Sequence, residues 1–286
     1  MIQFLLHVLV ISSVTSCVTL GYNFVFGKGK ILHFGQLVQT MVAAYGLWVP
    51  ITQYGQPFFV GLCISISLLL IVTLLLSWLS MRLEPDGYGV LSIALHLIII
   101  AIVLNWNSVT RGALGIPKIP RGILPSTTFG YAIVCVAVLA AWVFFLWRVD
   151  KGSFSRNLSA LSENEWHAQS LGVSRARVHA IAFSIASGGS LISSILFSPY
   201  QGLLTPSDFH FPQMIFYVMC VVAGGPGKLW GVLGATTALV FLREGIRFVS
   251  ISPSYIGPVQ LLLFGAILFI SVWIRRDTVF PKERKI

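Results

Sequence analysis

The chain has 286 residues, of which 56% are apolar and 10% charged, with a mean hydropathy of +0.86. That leaves too little polar surface to coat a soluble globule, so lipid must solvate much of it. The net charge of +10 does not mark a nucleic-acid binder, because the Lys and Arg residues sit in short segments between apolar runs rather than on one face of a polar domain.

A bilayer core of about 30 Å needs roughly 20 apolar residues per helix. Apolar runs bounded by breakers predict spans at 2–22, 31–50, 57–79, 89–105, 128–147, 177–198, 211–224, 229–249 and 255–274. The fold expected is an all-α polytopic membrane protein of about 8–9 transmembrane or re-entrant helices, a single integral domain over residues 1–286. The first run has no basic residue before it and no small-residue cleavage site, so it is read as a membrane helix rather than a signal peptide. The run at 31–50 is diluted by His33, Gln36, Gln39 and Thr40, and the run at 211–224 is short for a crossing. Both are expected to be broken or re-entrant, which membranes tolerate only where protein or a water-filled cavity covers the free backbone groups. Cys17, Cys63, Cys135 and Cys220 all lie in apolar runs without metal-ligand spacing, and read as small core residues.

Cytoplasmic loops retain Lys and Arg. Lys28, Lys30, Arg82, Arg148, Lys151, Arg156, Arg175, Arg177, Lys228 and the C-terminal basic cluster fall on one side. Arg111, Lys118 and Arg121 fall on the other, with Arg243 and Arg247 at a helix end. That asymmetry predicts N-out, C-in. The largest hydrophilic interruption, 148–179, contains NLSALSENEWHAQSLGV, which predicts a short helix with Ser162 as N-cap, Glu163 and Glu165 near its start and Gly172 at its end. Two readings are open for it: a docking element, or a helix resting on the lipid interface, though it lacks the basic face such helices show.

No catalytic motif is present. The nearest approach to a phosphate-binding loop, GGPGKLWG from Gly224, has the wrong glycine spacing and Leu229 where Ser or Thr would hold magnesium. The chain is therefore expected not to be an enzyme. All nine acidic residues map to loops or helix ends, whereas ion-coupled carriers generally place a carboxylate inside the bilayer. His96, deep in the fourth span, is read as a neutral histidine bonded to a neighbouring helix, or alternatively as a proton relay. Small and neutral polar residues remain as path-lining groups: Gln36, Gln39 and Thr40 in the second run, and Ser184, Ser187 and Ser190 in the sixth. For the serines, close helix packing is the competing reading. Gly224, Gly225 and Gly227 read as a structural turn.

Four stretches together resemble one family, the permease subunits of branched-chain amino acid ABC importers of the LivH and LivM type, closer to LivM. They are GYNFVFGKGKILHFGQLVQTMVAAYG from Gly21, LNWNSVTRGALGIPKIP from Leu104, SENEWHAQSLGVSRARVHAIAFSIASGGSL from Ser162, and DFHFPQMIFYVMCVVAGGPGKLWGVLGA from Asp208, in the family's order.

The resemblance implies an inner-membrane permease working with a second, LivH-like permease, two cytoplasmic ABC ATPases that use the ATP, and a periplasmic or extracellular solute-binding protein. It implies no cofactor on this chain and no nucleic-acid partner. It also assigns Glu163, Glu165, Ala168, Leu171 and Gly172 to a coupling helix held by an ATPase. Trp166, His167, Ser162, Gln36, Pro226 and Lys228 depart from the family's usual residues, and the N-terminal part is short for the LivM branch. Branched-chain amino acids are the default solute, with other amino acids, urea and short amides as alternatives. An ion-coupled carrier or channel is the alternative function. For a zwitterionic solute, the N-terminus of a half-helix is the expected partner of its carboxylate.

Overall fold

The structure, a computed structural model, describes residues 2–122, 124–246 and 253–274. Its helices are α1 (Ile2–Tyr22), α2 (Gln36–Tyr54), α3 (Phe58–Arg82), α4 (Pro85–Asn105), α5 (Asn107–Thr110), α6 (Thr128–Asp150), α7 (Ser153–Glu163), α8 (Glu165–Ser170), α9 (Arg175–Gln201), α10 (Phe211–Gly224), α11 (Leu229–Gly245) and α12 (Pro253–Ile274). Helix α1 runs on into a π-helical turn, Asn23–Lys28. Among the described residues, five helices are long and apolar enough to cross a membrane: α1 with its extension, α3, α4, α6 and α9. The short apolar helix α10 and the polar-diluted α2 are not among them.

Helix α1 is the centre of the bundle, packed by α6, α9, α10 and α11. In its most apolar stretch 67% of residues are buried, against 28% in α3, α4 and α6, which line the outside. Those outer helices turn polar residues inward: α3 buries Ser65, Leu69, Thr73, Leu76 and Ser80 at helical spacing and exposes Leu70, Ile71 and Leu74. Ser65 donates to the Ala43 carbonyl at 2.9 Å, which holds α3 on α2. Between α1 and α9 small residues replace side-chain packing. Gly21 lies on the backbone of Ile185 and Ala186, and a side chain at Gly189 would collide with the Cys17 carbonyl.

Several expectations need correction. The second helix begins at Gln36, not 31, because residues 31–35 are held in irregular backbone. The His33 carbonyl accepts from the Tyr22 hydroxyl, the Phe34 amide donates to Ser92 Oγ at 2.9 Å, and Gly35 packs against Ser92 and His33. Cys17, Cys135 and Cys220 are buried, but Cys63 is exposed on α3. His96 is fully buried, with the backbone of Phe209, in the short helical turn Pro206–Phe209 before α10, as a polar neighbour. The loop after α4 contains a strand, β1 (Ile116–Pro117), paired antiparallel with β2 (Leu203–Leu204). The described part of the eighth run is helical only to Gly245, and its last residues, 247–249, lie outside the described residues together with Arg247 and the C-terminal basic cluster.

Candidate functional site

The two ends of the bundle carry different constructions. At one end the hydrophilic segment after α6 folds back over the π-helical turn. Helix α7 buries Ser155, Leu158 and Leu161, with Leu158 against Gly29 and Phe154 stacked on Phe24 at 6.3 Å. Lys28 pairs with Asp150, which also accepts from Ser155 Oγ at 3.1 Å. The turn after α10 joins here: the Gly227 amide donates to Asn23 Oδ1 at 2.9 Å, and Gly225 and Gly227 adopt φ of 95° and 82°. Those angles are the left-handed conformations that glycine tolerates.

The predicted short helix is divided in two. Ser162 sits inside α7 and donates to the Ser159 carbonyl, so it is not the cap. The cap of α8 is Asn164, whose Oδ1 accepts from the His167 amide at 3.0 Å, with Glu165 following in the first turn. Gly172, at φ 85°, ends the segment as expected. Of the residues assigned to it, Glu163 is exposed at the end of α7 and Ala168 is buried, while Leu171 is 84% and Trp166 85% exposed. Arg175, counted in the sequence only as a basic loop residue, ties the segment down: it donates to Glu165 Oε1 at 2.7 Å and to the Ser80 carbonyl at 2.9 Å.

The expected path residues form a seam between α2 and α9. Gln36 Nε2 donates to Ser190 Oγ at 2.9 Å and to the Ala186 carbonyl, Thr40 and Ser190 share a bond at 3.0 Å, and Ser194 donates to the Thr40 carbonyl at 3.1 Å. Gln39 Nε2 reaches the Phe183 carbonyl at 3.5 Å. The Gln36 and Gln39 side-chain oxygens are buried without partners. Ser187 is buried and bonds back to its own helix, whereas Ser184 is exposed and does not join the seam.

At the opposite end from α8, the seam meets a cavity of about 430 Å³, to which Thr40 and Ser194 also contribute. Its wall comes from the start of α1, the end of α9, the start of α10 and the end of α11. His7 bonds the Tyr200 hydroxyl at 2.8 Å and lies 3.6 Å from the buried carboxylate of Glu244. Arg243 donates to Gln213 Oε1 at 2.7 Å. Asp208 closes a capping box with Thr205, visible in the sequence as TPSD but not singled out there. Burial raises its carboxyl from the ordinary aspartate value, against the lowering effect of the Thr205 bonds and of Arg243. The sequence reading missed these residues because each lies at a helix end, where a charge normally meets water.

Among the described residues, no group of three His, Cys, Asp or Glu is placed to hold a metal. The arrangement is a polar seam that meets a cavity at one end and a short helix with exposed apolar side chains at the other. The sequence model of the family described as "Branched-chain amino acid transport system / permease component" matches residues 4–272. The high-affinity branched-chain amino acid transport system permease protein LivM of Escherichia coli strain K12 is 26% identical over 93% of this chain and 67% of its own. LivM of Salmonella typhimurium strain LT2 is 25% identical over the same shares, so the chain spans about two thirds of the length of these relatives. The autoinducer 2 import system permease protein LsrC of Salmonella typhi is 28% identical over 50% of this chain and 42% of its own. No solved structure matches. With the match running over nearly the whole chain, the protein belongs to the family of branched-chain amino acid transport permease components and is a LivM-like membrane permease of the ABC importer class.

Proposed function

We propose that this chain forms part of the translocation path of an ATP-driven importer for branched-chain or other amino acids. It would stand in the bacterial inner membrane N-out and C-in, beside a second, LivH-like permease, above two cytoplasmic ATPases and below a periplasmic or extracellular solute-binding protein. Helices α2, α10, α11 and α12 would complete the crossings that the five long helices begin. The concentration of Lys28, Arg82, Arg148, Lys151, Arg156 and Arg175 at the α8 end supports a cytoplasmic assignment of that end. Gln36, Gln39, Thr40, Ser187 and Ser190 are the closed seam of the path, with Ser184 outside it. Family membership sets aside the ion-coupled carrier.

The observation that carries the reading is α8. A six-residue helix that holds Trp166 and Leu171 out in solvent while Arg175 fastens its base is shaped to be gripped. Glu163, Glu165, Ala168, Leu171 and Gly172 would pass the closing motion of the ATPases into α9. The test is co-expression with candidate ATPases, followed by Gly172→Val and Glu163→Gln. Loss of ATPase co-purification and of uptake from protein that still inserts is the expected result. Uptake that persists without any ATPase and follows a proton gradient would overturn it.

A further inference from the structure

On the outside of the bundle, α6 and α11 leave a groove of about 570 Å³ between them. Val136, Leu139, Val143 and Trp147 line it from α6 at helical spacing, and Trp230 and Leu233 from α11, with no charged residue in the lining. From Val136 to Trp147 the strip rises roughly 16 Å, half the hydrocarbon thickness of a bilayer and so the depth of one leaflet. At the α8 end the groove changes character. Trp147 and Trp230 also border a second hollow, whose wall holds Asp150, Lys151 and Lys228. Tryptophans of membrane proteins concentrate at the boundary between acyl chains and headgroups. Asp150 is answered by Lys28 and by Ser155 Oγ. Lys151 and Lys228 form no ion pair among the described residues, so the hollow keeps two positive charges. Lys151 Nζ lies 3.9 Å from the centre of the Trp147 ring, which holds the ammonium at the junction of groove and hollow. The first turn of α11 borders the same hollow and has no side-chain cap, so its positive end adds to the lysines.

We propose that this groove seats an anionic phospholipid, one acyl chain along Val136, Leu139 and Val143 and the phosphate between Lys151 and Lys228 at the start of α11. Charge selects this occupant. An apolar groove alone would suit any lipid or a helix of another subunit, but two lysines and a helix end call for a negative group at the headgroup level. A zwitterionic headgroup brings its own cation to the same lysines, and a soluble phosphate leaves the apolar strip empty. Because Lys151 opens the link from α6 to α7, the lipid would steady the root of the segment that carries α8. The proposal needs only that the chain stands in a bilayer, and it holds whatever solute is carried.

The test is native mass spectrometry of the full chain, released from detergent after addition of phosphatidylglycerol or of phosphatidylcholine with the same acyl chains. Phosphatidylglycerol should be retained roughly tenfold better. Both lysines are exposed, so Lys151→Gln combined with Lys228→Gln leaves the packing intact, and it should bring the two lipids within about twofold of each other. Arg177→Gln removes an exposed charge at the same end but outside the groove, and should leave the preference unchanged. Ala140→Trp fills the apolar strip and should lower retention of phosphatidylglycerol with every charge in place. Equal retention of the two lipids by the wild type, a preference that survives the double variant, or an equal loss in Arg177→Gln would overturn the site. Full displacement of the lipid by glycerol phosphate would overturn it as well, leaving a phosphate site only. So would loss of co-purification with a co-expressed second permease in Ala140→Trp, which would give the groove to that subunit.

Discussion

At the cavity end, Asp208, Arg243 and Glu244 are drawn into the wall of a hollow and engaged by Thr205, Gln213 and His7. At the α8 end the distribution is reversed: Trp166 and Leu171 face outward, Glu163 is exposed, and the ion pair of Arg175 with Glu165 serves to brace a helix. Burying a charge is worth its desolvation only where a partner or ligand answers it, and exposing a large apolar side chain on a short helix makes sense where another protein covers it. The contrast sets charges drawn inward at one end against large apolar side chains turned outward at the other, and under the proposed function the second is the end an ATPase would hold.

The largest effect should come from the α10–α11 turn at the α8 end. In Gly231→Val the new side chain meets the Gly224 carbonyl in the α10–α11 turn, costing about 3 kcal/mol, whereas Gly234→Val meets nothing and should be neutral. Thermal unfolding in detergent followed by size-exclusion fluorescence separates the two, and equal behaviour would deny that the turn is closely packed. Next, Leu171→Ser should leave melting unchanged, because the side chain is in solvent. It should still weaken ATPase binding by about 2 kcal/mol, read as retention on ATPase-loaded resin. Equal retention would make the α8 end an ordinary loop. The smallest effect belongs to Glu165→Gln. Its pair with Arg175 is roughly one third exposed, so the loss should be about 0.5 kcal/mol and should disappear in high salt, as a melting series at two ionic strengths would reveal.

Much of the architecture was legible because apolar runs of membrane length are a strong signal. The runs at 128–147 and 177–198 fall within α6 and α9, and the run at 57–79 falls within α3 except for its first residue, the cap Pro57. The segment holding Gly172 was legible from its charges and its glycine. The capping residue was misplaced because Ser162 and Asn164 are both good caps, and only the break after Glu163 decides between them. The irregular stretch around His33 could not be read because tertiary bonds from Tyr22 and Ser92 create it. The cavity was invisible for a related reason. His7, Asp208 and Glu244 come from distant parts of the chain, and no local pattern records that α1, α10 and α11 bring their ends together.

The close approach of α1 and α9 has a practical meaning for any study of motion. Gly21 and Gly189 put backbone on backbone, and Trp142 bonds the Cys17 carbonyl at the same level, so neither helix can slide past the other without first separating. The pair is therefore a fixed ruler within the molecule. Spectroscopic labels at exposed Leu5 and Ser184 should keep one narrow separation through every stage of a transport cycle. Displacement of any other segment can be measured from that baseline.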